Sequence, residues 1–126
     1  MTQAVSRSRN FARRLIAHET RGRKSSGTPA VFPVFDKLRP KLAVLMGSGG
    51  YRALVSRALA RARGKAPSLG ALRLDADGSL ELDPQVDPRE IAEGQVELLA
   101  ELLELLVAFI GEDLTLRLTR EAWPAL

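Results

Sequence analysis

Apolar positions recur along this chain first at helical spacing, then in alternation, then at helical spacing again, and the expected elements follow from those changes. Drawn as a helix from about Ala4 to Arg21, the first segment puts Val5, Phe11, Ala12, Leu15 and Ile16 on one side. Arg7, Arg13, Arg14 and Arg21 share the other side, with Arg9 at the border. Gly22 and the run KSSGTP end that segment and read as a linker, so a domain is expected to begin near Val31. In VFPVFDKLRPKLAVLMG, Phe35, Leu38, Leu42, Leu45 and Met46 fall at helical spacing, and Pro40 either kinks that helix or begins a new one. The run GSGG at 47–50 then breaks the chain. Tyr51, Leu54, Val55, Ala58, Leu59 and Ala62 mark a further helix to about Arg63, closed by Gly64.

After Pro67 the period drops to two. ALRLDADGSLEL holds two alternating runs around Ala76, Asp77 and Gly78, which predicts a short β-hairpin over about 71–82 with glycine at the turn position that favours positive φ. VDPRE reads as a helix start, with Asp87 as N-cap, Pro88 at the first helical position and Glu90 completing a capping pattern. That helix is expected to run over about 88–110 and stop at Gly111. In EDLTLRLTREAW the leucines fit a strand or a helix, and the acidic start with Pro124 as the stop favours helix. The expected fold is mainly α: a small helical bundle around a long central helix, with one hairpin and an N-terminal basic amphipathic helix.

The 88–110 helix is the most constrained element. Eleven of the thirteen positions from Leu98 to Ile110 are apolar, more than the roughly 100° stripe that packing on one side requires. Glu101 and Glu104 interrupt a run that is already shorter than the ~20 residues of a membrane span. The helix must either sit between neighbours on two sides or complete its burial against another chain. Leu98, Leu102, Leu106 and Phe109 are the expected protein-interface residues, with a homo-oligomer or a protein partner as the counterpart.

Charge sharpens this picture. Residues 1–65 carry fifteen Lys and Arg against Glu19 and Asp36, while residues 66–126 carry four Arg against thirteen acids. A chain divided in this way either neutralises itself, half against half, or presents two surfaces to opposite partners. On the second alternative, residues 1–30 form a basic arm and linker beside a helical domain at 31–126. Arg7, Arg9, Arg13, Arg14, Arg21, Arg23 and Lys24 then bind an acidic partner, protein or nucleic acid. The absence of cysteine removes disulfides, thiolate metal sites and a cysteine nucleophile.

Candidate chemistry is sparse. DADGSLELDPQV opens like a calcium loop at Asp75, Asp77 and Ser79, but Leu80 stands where the turn needs glycine and Val86 where a bidentate glutamate is needed. A hairpin turn explains the same residues. Glu90, Glu93, Glu97, Glu101 and Glu104 form a helical stripe, yet a carboxylate-bridged dimetal site also needs histidine, and none lies in this half of the chain. The stripe reads as a solvated face or as a strip meeting basic residues, which the helix at 51–63 could supply. GSGG lacks the Lys-Ser/Thr of a phosphate loop, and His18, the lone histidine, has no carboxylate at a recognisable spacing. The 34–63 segment suggests a helix-turn-helix, but Arg52, Arg57, Arg61 and Arg63 are scattered and Ala53 and Ala60 occupy the exposed side where base-reading side chains are wanted.

YRALVSRALARA and LLVAFIGEDLTLRLTREAWP resemble stretches of small, uncharacterised bacterial helical proteins, over roughly residues 35–124. Those motifs are packing residues; the resemblance implies a unitary domain and brings no function. The expected function is a non-enzymatic assembly or adaptor module, a scaffold or subunit of a complex, with protein contact through its apolar helices and no cofactor or small-molecule ligand. The alternatives are a nucleic-acid-binding regulator and a peripheral membrane or organelle-targeted protein acting through residues 1–28. A cytoplasmic location accompanies the first expectation.

Overall fold

The computed structural model describes residues 2–22, 31–76, 78–87 and 91–124, with side chains over 9–19, 34–76, 78–87 and 91–124. Helix α1 spans Thr2–Gly22 and α2 Val31–Lys65; a 3-10 turn at Pro67–Ala71 leads into strands β1, Leu72–Leu74, and β2, Leu80–Leu82; α3 spans Ala92–Ile110 and α4 Glu112–Ala122. The fold is mainly helical with one antiparallel hairpin, as the spacing predicts. The segment that fits both strand and helix is helical: α4 turns Thr115 and Leu118 inward together, three residues apart.

Pro40 does not restart α2. The helix passes through it, and the backbone leaves helical dihedrals at Gly47 instead, at φ +78° and ψ 161°. Gly111, between α3 and α4, takes nearly the same conformation at φ +90° and ψ 159°. That region is open essentially to glycine alone, because a Cβ would clash with the flanking backbone. Both breaks therefore lie where the chain has no side chain. Leu45, which the spacing places on the inward face of α2, is about half exposed just before the first break, and Val44 is 86% exposed.

The hairpin is short and tied down. Leu72 faces Leu82, Arg73 faces Glu81 and Leu74 faces Leu80. Asp75 N–H donates to the Ser79 carbonyl at 3.0 Å, and Ser79 N–H donates to Asp75 Oδ1 at 3.1 Å, so the aspartate closes the turn. Arginines of α2 hold this unit from below: Arg63 Nη2 donates to the Leu72 carbonyl at 2.7 Å and Arg52 Nε to the Asp75 carbonyl at 2.9 Å. Tyr51 is buried beneath the turn, its ring against Gly78. Burial raises its phenol from 10.0 to about 12, Arg39 opposes that shift and Asp36 adds to it.

Helix α3 is the centre of the molecule and contacts α1, α2, α4 and the 3-10 turn. Its first turns lie so close to that turn that a Cβ on Gly94 would stand 2.7 Å from Leu69 Cδ2. The residue before it, Ile91, is buried and makes no side-chain cap. The expected start at Asp87, Pro88 and Glu90 falls partly on 88–90, outside the described residues. From Gly94 to Leu106 every residue but Glu97 and Glu104 is buried. No helix among the described residues is long and apolar enough to cross a membrane.

Helix α1 joins this core. Ala12 and Leu15 are fully buried, with Phe11 and Ile16 packed partly against them. Near its end Glu19 is buried and accepts a hydrogen bond from Trp123 Nε1 at 2.7 Å. Lys37 of α2 pairs with the same carboxylate and sits 5.8 Å from the centre of the indole ring. One of the two acids in the basic half thus knots α1, α2 and the residue after α4 together.

Candidate functional site

The spacing of the glutamates puts Glu93, Glu97, Glu101 and Glu104 on one side of α3, and like charges at that spacing repel unless cations stand opposite. The structure supplies those cations from two helices. Arg13 Nη2 of α1 lies 3.2 Å from Glu93 Oε2, and Arg9 Nη2 lies 2.7 Å from Glu97 Oε1. From α2, Lys65 Nζ donates to Glu101 Oε2 at 2.5 Å, and Arg61 Nε stands 2.9 Å from Oε1, in ion contact but off the line of a hydrogen bond.

These pairs differ in worth. The Arg13–Glu93 pair is open to water, which screens it to a fraction of a kcal/mol. The Glu101 side chain is only 1% exposed, so its charge depends on the two cations. Removing such partners costs far more than losing a surface pair, because a bare carboxylate stays behind in a low-dielectric site. The basic half of the chain therefore meets the acidic half within one molecule.

This places the residues expected to bind an acidic partner. Arg9 and Arg13 are engaged by α3. Arg14 is exposed and lines a cleft. The side chains of Arg7, Arg21, Arg23 and Lys24 lie outside the described residues. The expected interface divides in the same way. Leu98, Leu102 and Leu106 are buried within the chain, since α1, α2 and α4 together surround α3. Phe109 is 72% exposed and Val107 is 39% exposed. The apolar excess of the helix is thus absorbed internally up to Leu106 and reaches the surface only in its last turn.

Next to that last turn, α1, α3 and α4 leave an open cleft of about 520 Å³. Phe11, Leu103, Val107, Ala108 and Leu116 make its apolar wall, and Asn10, Arg14, Glu104, Glu112 and Thr115 contribute the polar groups. Thr115 spends its hydroxyl locally, donating to the Gly111 carbonyl at 2.7 Å. Glu104 does not resemble the carboxylates before it. Its Oε2 is enclosed and meets no hydrogen-bond donor, and no cation pairs with it among the described residues. The size of the cleft and its mostly apolar wall with a few polar groups fall in the range common to ligand clefts in general. The sequence displays the stripe but not which carboxylate is left over, because that depends on where two remote helices place their cations.

The other candidates have structural employment. Of the four arginines in the helix-turn-helix-like segment, Arg52 and Arg63 hold the hairpin and Arg61 faces Glu101, which leaves Arg57 without such a contact among the described residues. Asp75 is used by the turn. Among the described residues no three His, Cys, Asp or Glu side chains are grouped to hold a metal. Compared with known proteins, the chain matches no family model, no curated protein and no solved structure.

Proposed function

We propose that the protein is a non-enzymatic helical interaction module that receives a helix of a protein partner in the cleft between α1, α3 and α4. One observation carries this reading: an open apolar cleft of about 520 Å³ whose wall includes Val107, a large apolar side chain of α3 that the fold leaves exposed. An amphipathic helix laid in such a groove buries its apolar face against Phe11, Leu103, Val107 and Leu116. Apolar burial would supply most of the affinity, at roughly 25 cal/mol per Å² before the ordering costs.

The basic surface supports a narrower role than a separate acid-binding arm. Arg9, Arg13, Arg61 and Lys65 are matched by the glutamates of α3, and each would have to leave its partner before binding phosphate. A photo-crosslinking residue at position 116 tests the proposal in the native host. A dominant protein adduct, lost in Val107→Asp and retained in Arg57→Ala, is the expected result. Adducts that are diffuse, or indifferent to Val107→Asp, contradict it. An adduct at twice the mass of the chain would make the partner a second copy.

A further inference from the structure

Three of the four described glutamates along α3 are matched by cations of this chain, and the fourth, Glu104, stands on the wall of the cleft with none. Its Oε2 is closed off from solvent and meets no donor among the described residues, so the carboxylate is poorly solvated for a charged group. Resting on the reading of the cleft as a docking site, we propose that Glu104 is the counter-ion for a protonated primary amine on an apolar stem: the tip of a lysine side chain presented by the partner's helix.

Charge and shape both select that group. Glu104 and Glu112 outnumber Arg14 among the charged groups of the cleft, so a cation is favoured over an anion. With Oε2 enclosed, Glu104 has at most one oxygen open to the cleft. A guanidinium gains its advantage from pairing with both oxygens of a carboxylate, and that arrangement is unavailable here. An ammonium acts as a point charge and needs only one. The four methylenes of a lysine stem can lie along Leu103, Val107 and Leu116 while the head reaches the acid.

The test uses octylammonium as the probe, with octanol and octanoate as its neutral and anionic counterparts, titrated into the full chain. Binding is read from the NMR methyl shifts of Leu103, Val107 and Leu116. Octylammonium is expected to bind roughly tenfold or more tightly than octanol, the scale of a charge-assisted hydrogen bond, with octanoate weakest. Glu104→Gln should erase the preference for the amine and leave octanol binding unchanged. Equal binding of amine and alcohol by the unaltered chain overturns the proposal. So does a preference that survives Glu104→Gln, one that disappears only with Glu112→Gln, or one that emerges only in Arg14→Ala, which would make Arg14 the counter-ion. If octanol still shifts the cleft methyls in any of those cases, the apolar docking site stands and only its lysine is lost. Failure of the crosslinking experiment instead strikes the docking site itself.

Discussion

The two ends of α3 carry the same pattern of glutamates and leucines and meet different fates. Up to Leu106 the leucines are buried by three other helices, and Glu97 and Glu101 face cations from α1 and α2. Toward the other end Glu104 is left without a cation on the cleft wall, and past Leu106 the side chains of Val107 and Phe109 are exposed. A helix of uniform pattern is thus closed at one end and open at the other, and the difference lies in its neighbours. The basic helices reach the first half of the stripe, and the break at Gly111 turns α4 back so that a gap stays between it and α1. What an amphipathic pattern demands is burial; which chain provides it is decided by tertiary structure.

The largest effect that can break this comparison is removal of α1. Deleting residues 1–28 uncovers the faces packed on Ala12 and Leu15, leaves Trp123 Nε1 without its acceptor, and takes Arg9 from Glu97. Cooperative urea unfolding should be lost or its midpoint sharply lowered. An unchanged midpoint would restore α1 as a separable arm. Next is a pair of equal substitutions at the two ends. Leu102→Glu buries an unpaired charge in the core and should cost more than about 4 kcal/mol, with loss of helical circular dichroism. Retained helicity with a lower mass by light scattering would show instead that Leu102 faces another chain.

A smaller effect concerns alkaline pH. The native Tyr51 phenol sits near 12 and its ordinary value is 10.0, so the folded protein holds a proton that the unfolded chain releases first. The stability this contributes is complete below pH 10 and is lost as the pH rises from 10 through 12, between about 2 and 3 kcal/mol in all. The stability difference between the parent chain and Tyr51→Phe, followed from pH 9 to 12, should shrink by that amount. A constant difference would mean the phenol is not shielded. Smallest of all, Phe109→Glu should change stability by no more than about 0.5 kcal/mol, as expected for a side chain 72% exposed. A loss comparable to that of Leu102→Glu would close the open end.

Much of this architecture can be read from spacing. The hairpin around Gly78, the central helix, the stop at Gly111 and the helical α4 all follow from period and punctuation, which are local signals. Pro40 shows where local signals fail. A proline predicts a break, but packing of Phe35, Leu38 and Leu42 on one face holds the helix together, and the chain turns at Gly47, where an unusual dihedral costs least. The inward face of α1 was visible in Phe11, Ala12 and Leu15, whereas its destination was not, because the linker reads equally well before an arm or before a packed helix. The cleft was least legible. Asn10 and Leu116 stand more than a hundred residues apart and share no motif with Leu103, and Glu104 differs from Glu101 only in what stands opposite.

That last contrast gives the most direct measurement: urea unfolding at neutral pH of Glu101→Gln and Glu104→Gln, identical changes less than one helical turn apart. At Glu101 the amide replaces a charge held by Arg61 and Lys65, and stability should fall by about 2 kcal/mol, the range of charge-assisted contacts. At Glu104 it removes an unmatched charge from a partly enclosed site, so stability should hold or rise. Equal losses at the two positions, or a greater loss at Glu104, would contradict the division of α3 into a closed end and an open one.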